Sequence, residues 1–157
     1  SATSVAVLNL LRLARIRQSR EYEDKALALL RSLVPLAERH PRAFGFLLWG
    51  VDFLLGPSCE VVIAGDPARA DTQALAGAAR REFLPGRTLL LRPADAAQAA
   101  ELAALAPFTA GQGSPPGQAT AYVCRDYTCR LPTRDVSTML AQMRGSRAAP
   151  VDRPGGD

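Results

Sequence analysis

The chain is poor in residues on which many functional sites depend. Its 157 residues include one histidine, His40, one lysine, Lys25, and three cysteines. A serine or cysteine nucleophile with a histidine base would have to use His40, and nothing in the sequence places that residue near Cys124. Four zinc ligands close together are also missing. The sequence therefore predicts no resident metal, and it leaves open whether the chain is an enzyme.

A phosphate-binding loop is missing as well. Gly65-Asp66-Pro67 follows a predicted strand and precedes a predicted helix, the position at which dinucleotide-binding enzymes carry G-x-G-x-x-G. Two of those glycines are missing, and Pro67 removes an N–H that could bind phosphate. We interpret the segment as a turn and expect no cofactor.

The charge pattern indicates neither a nucleic acid nor a membrane as a partner. The formal net charge is +4, but the arginines are scattered among acidic residues, whereas single-strand binders need basic runs with aromatic side chains. The longest nearly uncharged stretch, 43–55, has about thirteen residues and contains Asp52. A membrane-spanning helix needs roughly 20.

The N-terminus and the cysteine count favour a cytoplasmic protein. Ser1 leads almost directly into apolar residues, without the basic segment that opens a signal peptide. An odd number of cysteines in a chain of this length is not the disulfide framework of a small secreted protein.

The first third of the chain has the periodicity of three helices. Residues 5–16 are apolar on nearly every side, a second helix follows Ser19 as its N-cap, and Pro41 opens a third. Pro35 should kink or end the second helix because proline removes a backbone donor. The first helix needs more neighbours than the other two supply, so we infer that a preceding segment is missing.

The third helix is expected to end at Gly56-Pro57 and to be buried along one side. Trp49 and Phe53 are interpreted as core residues rather than as a ligand platform. The other positions expected on its buried face are Phe44, Leu47, Leu48, Val51, Leu54 and Leu55.

Strands alternate with helices after residue 58. Predicted strands cover 60–64, 88–91 and 120–124, and predicted helices cover 71–83, 94–105 and 133–143. Such alternation implies βαβ crossovers, so we expect a small three-stranded, largely parallel α/β unit. The predicted organisation is a helical part at 1–57, the α/β unit at 58–144 and a disordered tail at 145–157.

Four segments, in this order, resemble one known family. They are Ser4–Ala14, Asp52–Pro57, Glu60–Pro67, and Tyr122-Val-Cys124 with Cys129. Together they resemble the C-terminal part of the thioredoxin-domain-containing, spermatogenesis-associated protein family, over nearly all of the chain to about Met143. Members of that family carry a thioredoxin-like domain, followed by an (α/α)6 toroid similar to N-acylglucosamine 2-epimerases and other six-hairpin sugar enzymes.

The resemblance implies a mixed α and α/β fold in which the helical part closes the toroid. Residues 5–55 would then be the terminal helices of the toroid, and the α/β unit would be an appendage on it. The thioredoxin-like domain and the rest of the toroid would lie in a missing N-terminal part of the same protein, which is the one partner that we expect.

Cys124 and Cys129 are the redox candidates, with four residues between them. If they are bonded, the closed loop of about six residues constrains the unfolded chain by roughly 2 kcal/mol. If they are reduced, Arg125 and Arg130 beside them favour the thiolate. The spacing is not the C-x-x-C of redox motifs, so a structural or incidental pair is the alternative, with Cys124 buried at a strand end, Cys129 exposed and no chemistry. Cys59 is expected to be a buried hydrophobe.

Asn9 and Asp52 are polar residues inside apolar helices. Burial without a partner is costly, so each is expected to hydrogen-bond a neighbouring helix or to line a cleft of the toroid. In a cleft, Asp52 could act as an acid or a base.

Three functions are compatible with these residues. The first is a non-catalytic C-terminal fragment that completes the core of a toroid. The second is thiol–disulfide chemistry at Cys124 and Cys129, in cooperation with an upstream thioredoxin-like domain. The third is a carbohydrate-binding or isomerising toroid that uses Asn9 and Asp52.

Overall fold

The computed structural model describes residues 2–125 and 128–145, which form a helical half followed by a sheet half. The helical half, residues 2–55, begins with a helix that is longer than the predicted 5–16. Its elements are α1 (Ala2–Arg17), α2 (Arg20–Arg39), a 3-10 turn (Pro41–Phe44) and α3 (Gly45–Leu55).

The sheet half, residues 59–144, alternates strands with helices as the sequence predicts, and adds one strand. Its strands are β1 (Cys59–Ala64), β2 (Arg87–Arg92), β3 (Thr120–Arg125) and β4 (Thr128–Cys129), and its helices are α4 (Ala70–Arg81), α5 (Ala96–Leu105) and α6 (Val136–Arg144). The tail predicted at 145–157 lies outside the described residues, apart from Gly145.

The prediction of a three-stranded, largely parallel sheet was wrong in strand number and direction. The described sheet has four strands in the order β2-β1-β3-β4, and only the β1–β2 pair is parallel. The crossover through α4 makes β1 and β2 parallel, as the rule for βαβ units requires. The longer connection through α5 brings β3 to the other side of β1, where it runs antiparallel. β4 has only two residues, too few for a periodic signal.

The second helix does not end at Pro35. It runs four residues further, to Arg39. Proline at this position removes one backbone donor, but Leu33 and Ala37 on either side pack against the helical core and hold the segment in helical form. Ser19 occupies the N-cap position, as predicted, although its side chain makes no capping hydrogen bond.

Each half has its own core. In the helical core, seven buried residues from α1, α2, the 3-10 turn and α3 pack together: Val7, Leu8, Leu11, Ala26, Phe44, Leu47 and Phe53. In the sheet core, one face of the sheet packs against α4 and α6, with Val61, Ile63, Leu75, Ala79, Val123, Met139 and Met143 among its members. Phe83, the last residue of the helix predicted at 71–83, lies beyond the end of α4 and is 88% exposed.

Side-chain carboxylates position the helices of the sheet half. Asp71 Oδ2 accepts a hydrogen bond from the backbone N–H of Ala119 at 3.1 Å, which fixes the start of α4 against the segment before β3. Asp135 caps α6. The hydroxyl groups of Ser137 and Thr138 and the backbone N–H of Thr138 donate to its carboxylate and lower the pKa of Asp135 to about 2.

One glycine is required by close packing at the end of β1. A Cβ atom at Gly65 would lie 2.6 Å from Thr72 Oγ1 and 3.2 Å from Ala119 Cβ. The turn predicted at Gly65-Asp66-Pro67 is therefore packed tightly against α4 and the approach to β3, and Asp66 Oδ1 accepts the backbone N–H of Ala68 within it.

Candidate functional site

The two redox candidates face each other across the edge of the sheet. β3 and β4 pair so that Cys124 lies opposite Cys129. The backbone N–H of Arg130 donates to the carbonyl of Val123 at 2.9 Å. Val123 and Arg130 therefore form a hydrogen-bonded pair of the two strands, and the adjacent pair, Cys124 and Cys129, is a non-hydrogen-bonded one. Side chains approach each other most closely at non-hydrogen-bonded pairs of antiparallel strands.

Cys124 and Cys129 form a disulfide bond in this geometry. The two sulfur-bearing residues differ sharply in exposure: Cys124 is 6% exposed, whereas Cys129 is exposed on the two-residue edge strand β4. The side-chain amide of Gln112, itself buried, lies with Nε2 3.9 Å from Cys124 Sγ and can donate a weak hydrogen bond to it.

The buried cysteine belongs to a row of residues that crosses the whole sheet. The strand registers place Thr88 of β2 beside Glu60 of β1, Glu60 beside Cys124 of β3, and Cys124 beside Cys129 of β4. Thr88, Glu60 and Cys124 are all buried, and Ser58 Oγ donates to Glu60 Oε2 at 3.4 Å. A carboxyl group therefore neighbours the buried sulfur within the sheet.

The expectation that Arg125 and Arg130 flank the sulfurs was wrong, because successive side chains of a strand point to opposite faces. Arg125 and Arg130 line a cavity together with Cys59, on the other face from Cys124 and Cys129. The guanidinium of Arg125 donates to the carbonyl of Met143 at 2.8 Å and closes the end of α6. Cys59 is 4% exposed and packs in the sheet core, as expected of a buried hydrophobe.

That cavity joins the two halves of the molecule. It has a volume of about 1030 Å³ and lies between the end of α3 and the edge of the sheet. Arg144 at its wall is paired with Glu82 through two hydrogen bonds of 3.0 and 2.9 Å, which hold the pKa of Glu82 below its usual value. Its remaining lining includes Asp52, Pro57, Phe83, Leu84, Pro85, Thr128 and Met143.

Asn9 and Asp52 are not the buried polar residues that the sequence predicts. Both side chains are exposed, Asn9 on α1 and Asp52 on α3. Asp52 lines the large cavity, and Asn9 does not. Within the described residues the two do not form a common cleft, and the carbohydrate hypothesis gains no geometric support here.

Residues 2–125 and 128–145 contain no group of three or more His, Cys, Asp or Glu side chains arranged to hold a metal ion. Among the helices of this part of the chain, none combines the length and the apolar character that crossing a membrane requires.

The helical half exposes an unusual number of large apolar side chains. We call them the exposed apolar set: Val5, Leu13, Val34, Leu36, Phe46, Leu48, Trp49 and Leu55. The described part of the sheet half exposes three, Phe83, Leu105 and Leu131. Leu48 and Leu55, predicted on the buried face of α3, are 51% and 78% exposed, and Trp49, interpreted as core, is 39% exposed.

Trp49 is held at the surface by two neighbours. The ring of Phe46 approaches it edge-on, with the ring centroids 5.4 Å apart, and the Arg12 guanidinium lies 5.7 Å from the ring centroid. The sequence contained a signal for this arrangement, since α3 is apolar on more sides than two neighbouring helices can cover.

Comparison with known proteins identifies the chain as homologous to a spermatogenesis-associated protein. No protein-family profile matches it, and no solved structure does. It is similar to spermatogenesis-associated protein 20 from Homo sapiens, with 31% identity over 135 residues, and to the proteins of that name from Rattus norvegicus and Mus musculus, each with 29% identity. These matches cover 86% of the chain and support the family resemblance found in the sequence.

The match covers only a small part of each relative. The chain spans about 17% of the length of spermatogenesis-associated protein 20 in all three species. The homology is therefore consistent with a fragment of a longer protein.

Proposed function

We propose that this chain is a non-catalytic C-terminal fragment that completes the helical core of a longer protein. In this proposal α1, α2 and α3 are the closing helices of an (α/α)6 toroid. The preceding part of the same protein supplies the remaining helices and a thioredoxin-like domain. The observation that carries the proposal is the exposed apolar set.

The exposure is too large to leave uncovered. Leu48 and Leu55 of α3 keep half or more of their surface in contact with solvent, and Val5 and Leu13 of α1 are each 41% exposed. Burying a large apolar side chain contributes about 1.5–3 kcal/mol, so eight such residues represent substantial unused stabilisation. Apolar patches of this kind mark contact surfaces.

The positions of the set favour helices as the covering elements. Its members lie on all three helices, whereas the helical core uses Val7, Leu8 and Leu11 of α1 and Leu47 and Phe53 of α3. Helices with apolar residues on more than one side are interior elements of helical assemblies. Further helices packed on α1 and α3 would make them interior. Because the relatives are several times longer than this chain, a covering segment in the same polypeptide is the simplest source.

Co-expression with the segment encoded immediately upstream tests the proposal. We expect the two pieces to co-purify, and we expect Val5→Glu combined with Leu48→Glu to abolish this, because both charges would be buried in the contact. Leu131→Glu is the matched control: Leu131 is 85% exposed but lies in the sheet half. The proposal fails if no upstream segment is encoded, or if the control disrupts the complex as strongly as the helical variant.

A further inference from the structure

We propose that the Cys124–Cys129 disulfide is a thiol-exchange site with a fixed direction of attack. An incoming thiolate attacks Sγ of Cys129, and Sγ of Cys124 is the leaving group. This inference does not depend on the scaffold role proposed above, because it uses only residues of the sheet half. It assigns different chemical roles to the two cysteines.

Access determines which sulfur is attacked. A nucleophile must reach the attacked sulfur from the side opposite the sulfur that leaves. Cys129 is exposed on β4, at the outer edge of the sheet. Cys124 is 6% exposed, because β3 lies between β1 and β4 and the Gln112 side chain lies against its sulfur. We therefore expect the outer sulfur to be the one that a thiol reaches in the folded protein.

Gln112 is placed to assist the departure of Cys124. Its Nε2 group lies 3.9 Å from Cys124 Sγ, and a donor of this kind binds a thiolate more strongly than a neutral sulfur because the acceptor is charged. A leaving group whose thiolate is stabilised departs faster. The segment that carries Gln112 is fixed at both ends: Gln112 N–H donates to the Thr109 carbonyl at 3.0 Å, and the Tyr122 hydroxyl donates to the carbonyl of Gly113.

The reaction balances with two equivalents of an external thiol. In the first step a bond forms between the thiolate sulfur and Cys129 Sγ, the disulfide breaks, and its electron pair leaves on Cys124 Sγ. The Cys124 thiolate then takes up a proton from solvent, because an ordinary cysteine thiol is mostly protonated at neutral pH. A second thiolate attacks the mixed disulfide, releases the oxidised thiol and leaves Cys129 reduced.

The chemistry fits the compartment predicted for this chain. Disulfides of cytoplasmic proteins are generally transient, and they serve catalysis or redox sensing. A disulfide with one sulfur exposed on a short edge strand is accessible to the cellular thiol pool, whereas a disulfide enclosed in a core is not.

The test compares Cys124→Ser with Cys129→Ser, two variants that lose the same bond by the same chemical change. Each is treated with oxidised glutathione, and the adducts are mapped by mass spectrometry. We expect Cys129 of the first variant to be modified at least about tenfold faster than Cys124 of the second, which corresponds to a local opening free energy of ~1.4 kcal/mol. Cys59, 4% exposed in both, is the internal reference for a buried thiol.

The opposite order, or equal rates with Cys59 unmodified, would overturn the assignment of the attacked sulfur. Failure of reduced glutathione to open the disulfide of the parent protein would overturn the exchange function itself. Gln112→Leu tests the positioning residue: it removes the donor and keeps a side chain of similar size. We expect the disulfide of this variant to be reduced about threefold more slowly by glutathione, with an unchanged melting temperature of the oxidised protein.

Discussion

The two halves of the molecule bury their apolar residues to very different extents. In the sheet half, β1 is buried along its whole length, and both α4 and α6 direct their apolar positions into one core. In the helical half, a core of comparable side chains exists, but the exposed apolar set surrounds it. Under the proposed function, the sheet half is an independent folding unit and the helical half is part of a larger one.

Polar contacts between distant segments support the sheet half. They join residues far apart in the chain, such as Arg144 with Glu82 and Asp71 with Ala119. In the helical half the ion pair between Lys25 and Glu21 spans a single helical turn. Contacts between distant segments fix tertiary structure, whereas a contact within one turn supports only its own helix. The comparison teaches that two halves of one chain can bury their apolar residues to different extents, and the proposed function explains this by a partner that only the helical half requires.

A pair of leucine substitutions should show the largest difference between the halves. Leu75 is 1% exposed in the sheet core, so Leu75→Ala should lower the free energy of unfolding by about 2–5 kcal/mol through lost burial and a cavity. Leu48→Ala in the helical half should change it by less than about 0.5 kcal/mol, because Leu48 already contacts solvent. Urea denaturation measures both values. A large decrease in the free energy of unfolding of Leu48→Ala would mean that the Leu48 side chain is already buried in the isolated chain.

Removing the disulfide should have an intermediate effect, confined to the sheet half. We expect Cys124→Ala combined with Cys129→Ala to lower the free energy of unfolding by about 2 kcal/mol, since the short closed loop no longer restricts the unfolded chain. The measurement is urea denaturation of the parent and the double variant without reductant. With reductant the parent should approach the double variant. A variant as stable as the oxidised parent would contradict the expectation.

The cap of α6 should give the smallest effect, and it should depend on pH. The pKa of Asp135 is lowered from 3.8 to about 2 in the folded protein. A lowered folded-state pKa stabilises the protein above the unfolded pKa, and this contribution is lost as the pH falls from about 4 to about 2. Asp135→Asn should therefore lower the melting temperature by about 2 °C at neutral pH.

At the acid end of that window the parent and Asp135→Asn should melt together, because the parent carboxyl group is then protonated as well. Melting curves recorded across the window by circular dichroism measure the difference. If the difference in melting temperature between the two proteins stays constant down to the lowest pH, the carboxylate charge is not the cause of that difference.

The sequence predicted the elements well where one physical rule dominated. The β-branched run at 60–64 and its terminal turn became β1 and the packed bend at Gly65, and Gly56-Pro57 ended α3. The helix–strand alternation also predicted α4, α5 and α6 to within a few residues at each end. These signals are local, so they need no knowledge of the tertiary structure.

The errors arose where distant parts of the chain decide the outcome. The direction of β3 depends on which edge of β1 its connection reaches, and no local pattern encodes that choice. Pro35 stayed within α2 because residues around it pack on the helical core. The exposure of Asn9 and Asp52 depends on which sides of α1 and α3 have neighbours. These two helices carry more apolar residues than the other helices of this chain cover.

The residues of the candidate site could be predicted, but their surroundings could not. The pairing of Cys124 with Cys129 could be suspected from their spacing, and a buried Cys124 with an exposed Cys129 was one of the interpretations that the sequence offered. The approach of Gln112 to Cys124 and the position of Glu60 in the same row depend on strand register. Strand alternation would have shown that Arg125 and Arg130 point away from the sulfurs, had the antiparallel pair been recognised.

Hydrogen exchange of the 157-residue chain, resolved by mass spectrometry, tests the contrast between the halves most directly. If the helical half lacks its partner, the amides of α1 and α3 should exchange through openings of markedly lower free energy than those of β1, β3 and α4. The upstream segment should raise the protection of α1 and α3 and leave that of the sheet half unchanged. Equal protection of both halves in the isolated chain would contradict the account, because the helical half would then be a finished unit.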